Sequence, residues 1–380
     1  MMTLAQLTYQ QHRLIKFWLP ALVNGAVVWA LLLLIGQTPL IRASGLALVI
    51  VGVTLALRRM GAVIAVIGGL TLALSPVFWS QTGGGVGSPA TIVIAVAVAS
   101  VAVVVTIAVS KRPYIGLGLG VLVFAAIFWS QIGTPRSIRL TSFIIGWLMF
   151  VLVDMLLITN PRPDEAPLIL RDDAPKNPDG SQAAQAYHTL GILLLLSIGI
   201  LNDPLLSLLA PSIGLSLYLT RTKLPLWYWL ALGLVFGFGL YGIYTDYIIG
   251  QAHRMMLWQW RDGVYWIDMV RLLNRQFTII GIVLGILGLA RLARWYPPLG
   301  TVAMIAFAAY WWFGLVYTGD NRDVLLLPLY VIYVLWMSYA VLAFSEWLGR
   351  ATGQHPRIGR YVAIALYGGL PLLMLVNILR

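Results

Sequence analysis

The sequence predicts an all-α protein, a polytopic transmembrane helical bundle of about 13 spans. Three observations predict it. Of 380 residues, 60% are hydrophobic and only 10% charged, against roughly 25% charged in a soluble domain. The apolar residues fall into 13 runs, each long enough or nearly so to cross a bilayer, for which ~20 residues suffice. The junctions between runs alternate in charge. Those with Arg58 and Arg59, Lys111 and Arg112, Arg221 and Lys223, and Arg291 and Arg294 are basic without an acid; 80–89, 202–203 and 318–323 are neutral or acidic. Cytoplasmic loops retain Lys and Arg, so the alternation implies a cytoplasmic N-terminus in an inner or plasma membrane.

The segment 1–16 is polar and ends in His12, Arg13 and Lys16. The first run, 17–36, lacks a small-x-small cleavage pattern after it, so it reads as a resident helix rather than a signal peptide. The later runs are 43–57, 61–79, 90–110, 114–130, 138–158, 188–201, 204–220, 225–245, 276–293, 298–317, 324–345 and 360–379. Runs 43–57 and 188–201 are short, but the downstream alternation of charge holds only if both cross. The connection 159–187 is dense in Pro, Asp and Gly, a composition that buries too little apolar surface to fold. It reads as a flexible cytoplasmic linker between a six-helix half (1–158) and a seven-helix half (188–380).

The connection 246–275 differs. Arg254, Arg261, Asp268 and Arg275 recur every seven residues, with Arg271 beside the stripe and Trp258, Trp260, Tyr265 and Trp266 among the rest. That pattern predicts a segment lying in the outer membrane interface, broken at Gly263. Two identical words, Phe78-Trp79-Ser80-Gln81 and Phe128-Trp129-Ser130-Gln131, each follow a basic turn and one apolar run. They suggest a duplicated helix pair, with interfacial anchoring as the simpler account.

The net charge of +12 would point to nucleic acid in a soluble protein. Here positive-inside loops and attraction to anionic lipids account for it, so membrane lipids and not nucleic acid are the expected partners. With no cysteine, thiolate chemistry is excluded. The four histidines, His12, His188, His253 and His355, all lie outside the middle of the runs, which disfavours haem. Gly116-Leu117-Gly118-Leu119-Gly120 lies within an apolar run and reads as helix packing; so do Gly281, Gly285 and Gly288, and Gly233, Gly237 and Gly242. The one acid within a run is Asp154, about a turn from the inner surface, which is weak support for a proton-coupled carrier.

The outer loops hold the candidate chemistry. Asp320, Asp323 and Asp246 are the candidate catalytic carboxylates, able to act as a general base or to ligate a divalent cation. Arg322, Arg254 and Arg261 are candidate phosphate ligands, and Trp79, Gln81, Trp129 and Gln131 are further candidate substrate contacts. The tightest cluster is Tyr317-Thr318-Gly319-Asp320-Asn321-Arg322-Asp323.

Several words resemble those of bacterial membrane proteins of the protein O-mannosyltransferase-like GT-C glycosyltransferase family. They are Gly319-Asp320, Leu327-Pro328-Leu329-Tyr330 and Leu335-Trp336, the upstream Gln276-Phe277 leading to Gly285–Leu289, and Ser75-Pro76-Val77-Phe78-Trp79-Ser80-Gln81. The resemblance covers about a third of the chain. It implies a GT-C-like fold and transfer of a sugar from a polyisoprenyl-phosphate donor on the extracytoplasmic face, with a carboxylate in the first outer loop. The loop 36–43 instead contains Arg42 and no acid. Either the acid comes from another loop, or this is a relative without catalysis. The reading from a different class is a non-enzymatic membrane protein, a lipid or polyisoprenoid facilitator or a structural subunit of a complex.

Overall fold

The computed structural model describes residues 4–83, 100, 138–159, 178–220, 224–249, 255–352 and 356–379. The runs 90–110 and 114–130 (Ser100 apart), the second Phe-Trp-Ser-Gln word with Trp129 and Gln131, most of 159–187, and Arg254 lie outside the described residues. Among the described residues every regular element is helical, and the one extended pairing is an isolated antiparallel bridge between Met255 and Tyr317.

Helix α1 (Leu4–Leu34) leads to Pro39, whose extended ψ of 140° starts α2 (Leu40–Leu57). A 3-10 turn (Arg58–Met60) and Gly61, at φ 107°, reverse the chain into α3 (Ala62–Ala73). Only glycine adopts that φ without strain. The expected span 61–79 is not straight: Ser75 is extended, Pro76 opens the short α4 (Pro76–Trp79), and the pair is bent by 62°. Proline suits a first helical position because it has no N–H to leave unpaired.

Helix α5 (Ile138–Thr159) is followed by α6 (Pro178–Asn202), which begins inside the segment expected as linker. Asp203 accepts the Leu205 amide and starts a 3-10 turn (Pro204–Leu209) that runs into α7 (Ala210–Leu219). Helix α8 (Leu226–Ile243) ends in a π-turn (Tyr244–Ile248). Asp262 accepts the Val264 amide and caps α9 (Gly263–Trp295). The 246–275 segment breaks where Gly263 was expected to break it: a 3-10 turn (Gln259–Arg261) ends at the extended Asp262 and α9 begins at Gly263; a second break, at Thr278 with φ 62° and ψ 174°, lies inside α9. The rest is α10 (Pro297–Val316), α11 (Arg322–Leu325), α12 (Leu327–Ala351) and α13 (Pro356–Leu379).

Seven described helices are long and apolar enough to cross a membrane, eight if the bent α3–α4 pair is one span; Trp18–Leu34, His188–Asn202 and Pro204–Leu219 are shorter apolar helices. Their outward faces carry large apolar side chains such as Leu234, Phe238, Ile286, Leu366 and Leu372. Continuous exposed apolar surface of this kind suits lipid and not water. The protein is an all-helical membrane protein.

Helix α12 is the axis. In its most apolar stretch 89% of residues are buried, against 22% in α8 and 28% in α13, and α9, α10, α13 and α3 pack around it. The α9–α12 seam depends on small residues. A Cβ on Gly288 would lie 1.7 Å from the Trp336 carbonyl oxygen, and one on Gly285 would strike the Tyr333 ring. Close backbone approach of this kind is how helices associate in lipid. Gly281 also packs in this seam, and Gly242 meets Pro204, but Gly233 and Gly237 face open space. Packing therefore does not explain those two.

Candidate functional site

Three sequence segments converge at one end of the bundle. Helix α4 lies against α11 and the first half of α9. The Val77 amide donates to Gln276 Oε1 at 2.9 Å, 199 positions away. Phe277 stacks on Tyr333 and meets Tyr330 edge-on. These are the Ser75–Gln81, Gln276-Phe277 and Leu327–Tyr330 words, brought together by the fold.

Between the start of α9 and the turn from α10 to α12 lies a groove of about 380 Å³. Tyr265, Leu272 and Arg275 of α9 form one wall, and residues 317–323, with Asp320, Arg322 and Asp323, form the other. The turn is held locally. The Met256 amide donates to the Val316 carbonyl at 2.8 Å, Gln259 Nε2 donates to the Tyr265 hydroxyl at 3.0 Å, and buried Tyr317 stacks on Phe313. Gly319 lies close under the buried Tyr317 ring, which would have to shift for any larger residue, because a Cβ would come 2.2 Å from its hydroxyl.

The groove's charges are not spent on one another. Neither Arg275 nor Arg322 forms an ion pair with a described carboxylate. Asp323 Oδ1 accepts the adjacent Val324 amide at 2.9 Å; the Asp320 carboxylate accepts no hydrogen bond from a described residue and is exposed. The buried Tyr330 hydroxyl has no hydrogen-bond partner and lies within electrostatic reach of Asp323, Arg322 and Arg275. Two forked guanidiniums can hold a phosphate bidentately, and a free carboxylate can accept a proton from a hydroxyl.

The other expected site residues lie elsewhere. Asp246 sits in the π-turn after α8 and does not line the groove. Arg261 stacks over Trp258 and Trp260, with its guanidinium carbon 4.5 Å and 5.6 Å from the ring centres. Gln81 is buried: Ser142 donates to its side-chain oxygen at 2.8 Å, and its carbonyl accepts from Arg139. Trp79 is half-buried beside Gly36. Arg275, which the sequence offers as a member of the charged stripe and as one of the outer arginines able to clamp a phosphate, belongs to the groove. Its position four residues past Arg271, on the last turn before the apolar run, was the available signal.

At the opposite end, Asp154 is buried among cations. Its Oδ1 takes Arg58 Nη2 at 2.5 Å and Arg59 Nη2 at 2.9 Å, and its Oδ2 meets His188 Nε2 at 3.0 Å. This cluster ties α2, α5 and α6 together. Among the described residues no group of three or more His, Asp or Glu comes together as a metal site. The chain matches no known family model, no curated protein and no solved structure.

Proposed function

We propose that the groove binds the phosphate of a lipid-phosphate-linked sugar, and that the protein is a GT-C-like transferase acting at the extracytoplasmic membrane surface. One observation carries this reading: two guanidiniums without carboxylate partners and a free carboxylate line one groove beside the first half of α9. In the proposed reaction Asp320 takes the proton of an acceptor hydroxyl, whose oxygen attacks the anomeric carbon. The bond from that carbon to the phosphate oxygen breaks, and the lipid phosphate leaves with its charge met by Arg275 and Arg322. A divalent cation held by Asp320, Asp323 and the phosphate is compatible with the same groove.

A second reading has its own support. Arg42 stands where the resembled family has an acid, in the first turn of α2, and its Nη1 donates to the Thr82 carbonyl at 2.8 Å. That arrangement suits a protein that binds polyisoprenyl phosphates without transferring sugar.

The test is binding and turnover by the purified protein in lipid nanodiscs, with polyisoprenyl-phosphate mannose as probe. The transferase reading expects saturable binding, weakened by Arg322→Ala, and transfer to a hydroxyl acceptor that Asp320→Asn abolishes without loss of binding. Binding without transfer supports the facilitator. Absence of binding by the wild type overturns both.

A further inference from the structure

Helices α9 and α12 run side by side in the same direction, and at their C-terminal ends lies a second groove of about 460 Å³. Arg291, Trp295, Ala343, Trp347, Arg350 and Ala351 line it, with no carboxylate among them. Arg291 forms no ion pair or hydrogen bond with a described residue. Arg350 donates only to the Glu346 carbonyl, at 3.4 Å. Compensation of the helix dipole accounts for an arginine in the last turn of α12. It does not account for Arg291 facing the same space, nor for the two indole walls.

Depth identifies the occupant. From Leu327 to Trp347 the helix rises about 30 Å, one hydrocarbon thickness, so this groove lies at the membrane surface opposite Asp320 and Arg322. Trp347 is 57% exposed and stacks on the exposed Phe344, as interfacial aromatic residues do. Val283, Leu287 and Arg291 are spaced four apart, on one face of α9. Val283 and Leu287 are exposed, so an apolar strip leads from mid-membrane up to the guanidinium. An anionic head over an apolar tail matches that sequence of surfaces; a free anion would use only the head of it.

We propose that this groove is a binding site for an anionic phospholipid, whose phosphate is held by Arg291 and Arg350 and whose acyl chain lies along Val283 and Leu287. The site is independent of the groove at Asp320. The test uses the full chain in neutral detergent, with phosphatidylglycerol, phosphatidylcholine and inorganic phosphate as probes of binding and of the unfolding midpoint. Phosphatidylglycerol is expected to bind saturably and raise the midpoint, and the other two are not. The double substitution Arg291→Gln, Arg350→Gln is expected to weaken that binding by about tenfold or more, the size of a lost charge-assisted contact. Arg275→Gln with Arg322→Gln is expected to leave it intact. Trp347→Leu, at an exposed position that the fold does not need, is expected to weaken binding several-fold and guards against misfolding of the arginine variant. Wild-type affinity in both Trp347→Leu and the arginine variant overturns the proposal. An equal response to inorganic phosphate overturns the lipid as occupant.

Discussion

The Val77 amide and the Gln276 side chain meet at 2.9 Å, joining residues 199 positions apart. Val77 is the second residue of α4, where an amide has no partner within its own helix. Gln276 stands two residues before the break in α9. One hydrogen bond therefore fastens the bend of α3–α4 to the break of α9. Gln276→Leu keeps the bulk and leaves a buried N–H unsatisfied, so it should destabilise the fold by about 1–3 kcal/mol. Denaturant titration of the purified protein measures this, and an unchanged midpoint would show that the bond carries no stability.

The glycines offer a paired comparison. Gly288→Ala places a methyl group against the Trp336 carbonyl and must separate two backbones, a loss of about 1–3 kcal/mol or more. Gly233→Ala meets nothing and should be neutral or stabilising by up to about 1 kcal/mol, the helix-propensity difference. Unfolding midpoints for the two variants should move in opposite directions or differ clearly in size.

Asp154→Asn should be among the most damaging single changes. It leaves the buried Arg59 and the partly buried Arg58 beside a neutral amide, and removing one partner of a buried ion pair costs about 3–5 kcal/mol. Size-exclusion profiles and proteolysis rates would show the loss. A stable, monodisperse variant would mean that water already solvates the cluster.

Topology can be tested without background, because the chain has no cysteine. Asn321 and Thr352 are both exposed and lie at the two ends of α12. Asn321→Cys should react with an impermeant thiol reagent from outside intact cells, and Thr352→Cys only after permeabilisation. Labelling of both from outside would remove the membrane from between them.

Thr278 holds a backbone conformation that is almost the preserve of glycine, at a cost of about 1–3 kcal/mol for other residues, and its hydroxyl is buried without a partner. Thr278→Gly should therefore stabilise the protein despite losing a side chain. A lower unfolding midpoint would show that the threonine is held by contacts that outweigh the strain.

Much of this was legible in the sequence. Among the described residues hydropathy located the apolar helices, because lipid demands long apolar runs, though three of them are shorter than a span; the 317–323 cluster marked the groove through its density of charge in a short turn. Gln276 was not legible, since its partner is 199 positions away and nothing local distinguishes a helix-capping glutamine from a solvated one. Asp154 stood out as an acid within an apolar run, but its bonds to Arg58, Arg59 and His188 depend on which helices become neighbours. The bend at Ser75-Pro76 was written in the proline, yet the uninterrupted hydropathy around it concealed a turn of 62°. Gly233 and Gly237 had the spacing of a packing motif, and only the arrangement of helices left that face to lipid.

The break at Thr278 also sets how much of α9 can span. Residues 279–295 are 17 in number, about 25 Å of helix, which is some 5 Å short of a typical ~30 Å hydrocarbon core. A short span is accommodated by thinning of the bilayer, by snorkelling of flanking residues or by association with another helix. Thinning would draw lipid headgroups inward beside α9, on the flank of the Arg275 and Arg322 groove.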